Sequence, residues 1–190
     1  MKVLFNKLAT LLLFVSLSIG ASAQSIPDTA RINVGLSAGL PIALDNMYTY
    51  NLGAYLQLDY PITKTLYVTG SAGYNTLFAS PNFSTTPGGI LNVKAANMQT
   101  VPLKLGIKLF VIRHFYLAGE VGQTLLVNKS QVYALKNNAL TYSPKMGMLF
   151  FLKKHQYIDA GIRYEAVSTF YNDKANYGFW AAHVAYAFNL

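Results

Sequence analysis

Cysteine is absent from the 190-residue chain. That excludes a disulfide framework, a thiolate-bound metal and an N-terminus anchored by a lipid on cysteine. Charge is scarce too. Only 12% of residues are Asp, Glu, Lys or Arg, against about 25% in an ordinary soluble domain. With 53% hydrophobic residues, the chain is too apolar for disorder and unusual for the cytosol. Beyond Ala23 no uncharged apolar run reaches the ~18 residues of a membrane-spanning helix. Acidic residues are fewest, seven against fifteen basic ones, and the formal charge is +8. Such an excess accompanies phosphate partners in nucleic-acid binders, but an exported chain rarely meets one, and no nucleic acid is expected here.

Export is the first feature present. Lys2 and Lys7 supply a basic start, Leu8 to Ile19 a mainly apolar run, and Ala21-Ser22-Ala23 a small-residue cleavage site. The expected organisation is a signal peptide over 1–23 and a single β-domain over 24–190. Losing Lys2 and Lys7 lowers the charge from +8 to +6.

The mature sequence alternates apolar and polar residues, the period that sends side chains to opposite faces of a strand. Eight segments show it, near 32–40, 52–60, 65–78, 99–110, 115–126, 142–152, 157–166 and 177–190. In the fourth, Val101, Leu103, Leu105, Ile107 and Leu109 oppose Lys104, Gly106 and Lys108. In the seventh, Ile158, Ala160 and Ile162 oppose Asp159, Arg163 and Glu165. No apolar face carries a charge. Connections alternate in length: tight turns near 61–64, 111–114 and 153–156, and longer loops near 41–51, 79–98, 127–141 and 167–176. Short turns at one end and long loops at the other characterise transmembrane barrels. The polar face is rich in glycine, including Gly35, Gly53, Gly106 and Gly147. A narrow barrel interior needs such small residues to make room for large ones. The expected fold class is therefore all-β, an eight-stranded antiparallel up-and-down transmembrane β-barrel with its apolar face outward.

Signal, strands and loop rhythm resemble the small outer-membrane barrel family typified by the OmpA transmembrane domain and OmpX. The resemblance covers the whole mature chain. It implies location in the bacterial outer membrane, outer-membrane lipids as partners, and delivery by the barrel assembly machinery. The final run ending in Tyr186, Phe188 and Leu190 resembles the terminal-strand assembly signal, although it closes on Leu rather than Phe.

Candidate site residues fall into three groups. Asp59, Lys104, Lys108, Glu120, Lys145, Asp159, Arg163 and Glu165, with His183 nearby, share the inward face, four bases facing four acids. Buried charges need partners, so a lumen ionic network is expected. Tyr60, Tyr67, Phe110, Phe115, Tyr142, Tyr157, Tyr177 and Trp180 lie near strand ends and are assigned to an aromatic girdle at the headgroups, although parity puts Tyr67, Phe110, Tyr157 and Tyr177 on the polar face. Tyr48, Tyr50, Phe83, Tyr133, Phe170 and Tyr171 are loop aromatics and candidate contacts for an unknown extracellular ligand. Basic turns at Lys64, Arg113, Lys153 and Lys154, with His114 and His155, are either solvated or near lipid headgroups.

No Ser pairs with His114, His155 or His183 in a way that spacing supports, and no metal, cofactor or catalysis is expected. The functional expectation is a monomer with a structural or adhesion-like role. The alternatives are a narrow, porin-like channel and, third, a lipid-modifying enzyme.

Overall fold

Strands rich in β-branched, aromatic and leucine residues, punctuated by inward glycine, pair from neighbour to neighbour along the chain. The computed structural model describes residues 29–42, 47–80, 96–132, 134–153, 155–168, 170 and 177–190. The expected signal at 1–23 lies outside them. Eight strands follow: β1 (Arg31–Pro41), β2 (Tyr48–Pro61), β3 (Leu66–Ala79), β4 (Met98–Phe110), β5 (Phe115–Leu126), β6 (Asn138–Lys153), β7 (Gln156–Val167) and β8 (Tyr177–Asn189). Each pairs antiparallel with the next, and β8 returns to β1 to close the barrel. Lengths of 11 to 16 residues meet or exceed the ~9–11 residues a tilted strand needs to cross hydrocarbon. Among the described residues no helix is long and apolar enough to do so.

The register fixes the girth. Starting at Ile32, paired neighbours run through Leu58, Gly70, Leu105, Val121, Tyr142, Ala166 and Gly178, whose carbonyl accepts from Ile42. One circuit thus climbs from Ile32 to Ile42, a stagger of ten residues. That stagger tilts the strands and, with the strand number, sets the lumen at side-chain width.

Burial runs opposite to that of a soluble barrel. Leu36, Leu56, Leu105, Ile107, Val121, Met146 and Val184 are exposed on the outside, whereas Arg31, Asp59, Lys108 and Glu165 are buried within. Hydrocarbon around the barrel satisfies the first set, and closure leaves no unpaired edge for lipid to meet.

Two inward glycines carry much of the fit. A Cβ on Gly35 would sit 2.6 Å from the Tyr55 ring, and one on Gly147 would sit 2.5 Å from the Tyr116 hydroxyl. Each tyrosine is the register partner of its glycine on the neighbouring strand, and its ring lies over the space that the glycine leaves.

Two prolines interrupt the ladders. The β3–β4 pairing passes from Ala72–Leu103 to Asn75–Thr100 without a pair at Pro102, and the β6–β7 pairing skips from Tyr142–Ala166 to Lys145–Arg163 around Pro144. Proline has no N–H to donate there.

Turns β2–β3 and β4–β5 take four residues each. In the first, the Thr63 hydroxyl accepts from the Leu66 and Thr65 amides at 3.0 and 3.3 Å. His155, in the β6–β7 turn, adopts a left-handed φ of 67°. Strand β6 begins at Asn138 rather than near 142, because its ladder with β5 continues to Leu125–Asn138.

An outward charge near mid-height is expected to cost far more than one at the rim. Leu105→Arg should lower stability by about 2–4 kcal/mol and Gln123→Arg, toward the loop end, by about 0–1 kcal/mol. Urea unfolding from lipid vesicles measures both.

Candidate functional site

The lumen is filled in layers. At the short-turn end Tyr67, Phe110, Tyr116, Leu149, Tyr157 and Ala187 form one buried apolar cluster. At the long-loop end Tyr48, Leu77, Met98, Leu126, Val132, Ala139, Val167, Phe170 and Tyr177 belong to a second. Apart from Arg31, which lies among the short-turn rings, the buried charged residues occupy the space between.

The nine residues assigned to a lumen ionic network are all buried inside the barrel. Lys108 Nζ bridges Asp59 at 2.7 Å and Asp159 at 3.2 Å. Lys104 Nζ bridges Glu165 at 2.8 Å and Glu120 at 3.3 Å. Lys145 Nζ meets Glu120 at 2.5 Å and donates to Gln57 Oε1 at 2.6 Å, while Gln57 Nε2 donates to Asp59 at 2.6 Å. Gln57 thereby joins the two halves into one connected chain. Arg163 lies 3.6 Å from Glu165 and donates to Ser37 at 3.2 Å. His183 lies 3.5 Å from Asp159, which also accepts from the Tyr116 hydroxyl at 2.6 Å.

Three residues of this core are absent from the expected network. Tyr55 lies 5.6 Å from the Arg163 guanidinium and meets the His183 ring edge-on at 6.1 Å. Tyr116 stacks under Lys108 Nζ at 4.4 Å. Arg31 is fully buried, with its guanidinium carbon 4.4, 5.2 and 6.0 Å from the rings of Tyr67, Phe110 and Tyr157. Parity identifies the two tyrosines. Arg31 escapes because the sequence reading starts β1 one residue late.

The girdle assignment needs correction. Tyr60, Tyr142 and Trp180 face outward and are exposed, and Phe115 is half-buried at the rim. Tyr67, Phe110, Tyr157 and Tyr177 point inward and are buried, because strand parity, not nearness to a strand end, decides the face. Outward rings that do mark the rims include Tyr50 stacked on Phe78 at 4.6 Å, Tyr164 beside Trp180 at 5.2 Å, and Tyr186 beside Phe188 at 6.1 Å.

Two loop aromatics also change role. Tyr48 and Phe170 are buried in the upper apolar cluster, so neither is an exposed contact. The Phe170 carbonyl accepts from the Leu135 and Lys136 amides, tying two loops together over the mouth. Asn128 reinforces this lid, accepting from the Gln99 amide at 3.0 Å and donating to the Asn97 carbonyl at 2.6 Å. Phe83, Tyr133, Tyr171 and Lys154 lie outside the described residues. At the opposite end Lys64, Arg113 and His155 are exposed and His114 is half-buried. Among the described residues no group of three His, Cys, Asp or Glu could hold a metal ion.

A closed antiparallel barrel of eight strands, apolar outside and ion-paired inside, defines a small transmembrane β-barrel. No protein-family model matches the sequence, and neither does any curated protein. Solved structures do resemble it, and all of the following are outer-membrane proteins. The attachment invasion locus protein Ail of Yersinia pestis aligns with a TM-score of 0.51 and 14% identity, covering 86% of this chain and all of that one (100%). OprG from Pseudomonas aeruginosa aligns at 0.53 and 11%, covering 89% and 99%. AlkL, determined in lipid bilayers, aligns at 0.50 and 12%, covering 90% and 95%. At these identities the likeness establishes the fold: the chain is built as the small eight-stranded outer-membrane barrels are.

Removing one member of the network should be costly. Lys108→Met leaves Asp59 and Asp159 without their shared cation, and a loss of about 3–5 kcal/mol is expected in urea unfolding. Lys104→Met combined with Glu165→Leu should cost less than the sum of the single changes, which a double-mutant cycle measures.

Proposed function

We propose that the chain is a monomeric, non-catalytic barrel of the bacterial outer membrane with a structural or surface-interaction role. On this reading residues 1–23 direct export, the mature chain starts at Gln24, and the long loops face outward. The barrel assembly machinery reads the last strand through Tyr186, Phe188 and Leu190.

The observation that carries the reading is the sealed lumen. Among the described residues a connected ionic layer lies between two apolar clusters. A permeating ion would have to break salt bridges and cross both caps. The ordered lid at the loop end, tied through Asn128 and Phe170, instead offers a fixed outer surface on which recognition can be built. Ail, of the same fold, carries attachment in its name, which is consistent with an adhesion-like role.

Conductance of the purified protein in planar bilayers tests this. No steady unitary conductance is expected. Discrete, stable steps would replace the sealed plug with the narrow-channel alternative.

A further inference from the structure

We propose that the short-turn end of the lumen binds one small inorganic anion at Arg31. The argument starts from charge. Among the described residues the acids are Asp59, Glu120, Asp159 and Glu165. All four are buried and engaged with Lys104, Lys108, Lys145 or Arg163. With Arg31 the buried bases number five. Leaving His183 aside, among the described side chains the buried bases outnumber the buried carboxylates by one, and the unmatched one is Arg31.

Geometry gives the same result independently. Arg31 is 0% exposed, yet Nε, Nη1 and Nη2 have no hydrogen-bond partner among the described residues. A guanidinium carries five N–H donors in a planar fork. The rings of Tyr67, Phe110 and Tyr157 surround it, and ring faces offset part of its charge. They cannot accept its in-plane donors. A buried, uncompensated charge is among the costlier features a fold can carry. The neighbouring Asp59, its register partner on β2, is already committed to Lys108 and Gln57. On the other side, the Oδ1 of Asn189, its partner on β8, is likewise unpaired, but a neutral amide cannot cancel the charge.

A monovalent anion on the guanidinium fork supplies both missing terms, acceptors for the N–H groups and the fifth negative charge. The chemistry it recognises is a small, compact anion such as a halide.

Bromide serves as the probe. Crystals of the full mature barrel soaked in sodium bromide are expected to give an anomalous peak within ~3.5 Å of the Arg31 nitrogens. Absence of a peak there overturns the proposal. In detergent micelles the thermal midpoint of the wild-type protein should rise with chloride, relative to sodium gluconate at equal ionic strength, as expected for a ligand bound only by the folded state. That rise should persist in the surface control Arg113→Gln and vanish in Arg31→Met. An equal rise in Arg31→Met overturns the proposal. So does a bromide peak that appears only once Asp28 is changed to Asn, which would assign the missing negative charge to the chain's own upstream carboxylate.

Discussion

The whole architecture depends on the narrowness of an eight-stranded lumen with a ten-residue stagger. Such a tube is about as wide as the side chains that fill it, so an inward polar group can be satisfied only by another inward group. That requirement explains why the interior sorts into layers instead of mixing. Charges gather where several strands present partners at one height, and apolar side chains occupy both ends, where partners would otherwise be water. It also explains the pairing of inward glycines with inward tyrosines. Tyr55 and Tyr116 bring hydroxyl-bearing rings into the ionic layer, and Gly35 and Gly147 yield the volume.

The same narrowness separates stability from recognition. A lumen committed to salt bridges has little capacity left for solutes, and the outside of the wall is committed to hydrocarbon. What remains free to vary is the long-loop end, where Asn128, Phe170 and the Leu135–Lys136 amides hold a lid in place. A rigid scaffold presenting loops is a common basis for surface binding, and here the loops lean on the same apolar cluster that seals the mouth.

Much of this was legible in the sequence. Period-two alternation, uncharged apolar faces and the alternation of turn and loop lengths define strand number, order and the inverted burial without any partner information. The nine network residues could be named because parity assigns the face of each. Their pairings could not: Lys104 and Glu165 are 61 positions apart and Arg163 and Ser37 are 126 apart, so only register and stagger bring them together. At Tyr67, Phe110, Tyr157 and Tyr177 nearness to a strand end points to the girdle, whereas parity sends all four rings inward. Arg31 was missed for a smaller reason, since element boundaries are the least certain feature of a periodicity reading and the first residue of β1 is a base. Tyr48 and Phe170 looked exposed because loop position says nothing of whether a loop folds back into the mouth.

The linking role of Gln57 has a consequence for biogenesis. It stands on β2, accepts a hydrogen bond from Lys145 on β6 and donates one to Asp59 on its own strand, while Lys104 on β4 reaches Glu165 on β7. None of these cross-lumen partners are neighbours in an open sheet, where the contacts across the lumen would be replaced by water. A half-formed barrel in the bilayer would therefore keep the adjacent-strand contacts of Glu120 with Lys104 and Lys145 but lack the cross-lumen partners of Lys108 and of Gln57. The meeting of β1 with β8 and the completion of the ionic layer therefore depend on each other, since the cross-lumen contacts exist only in the closed ring.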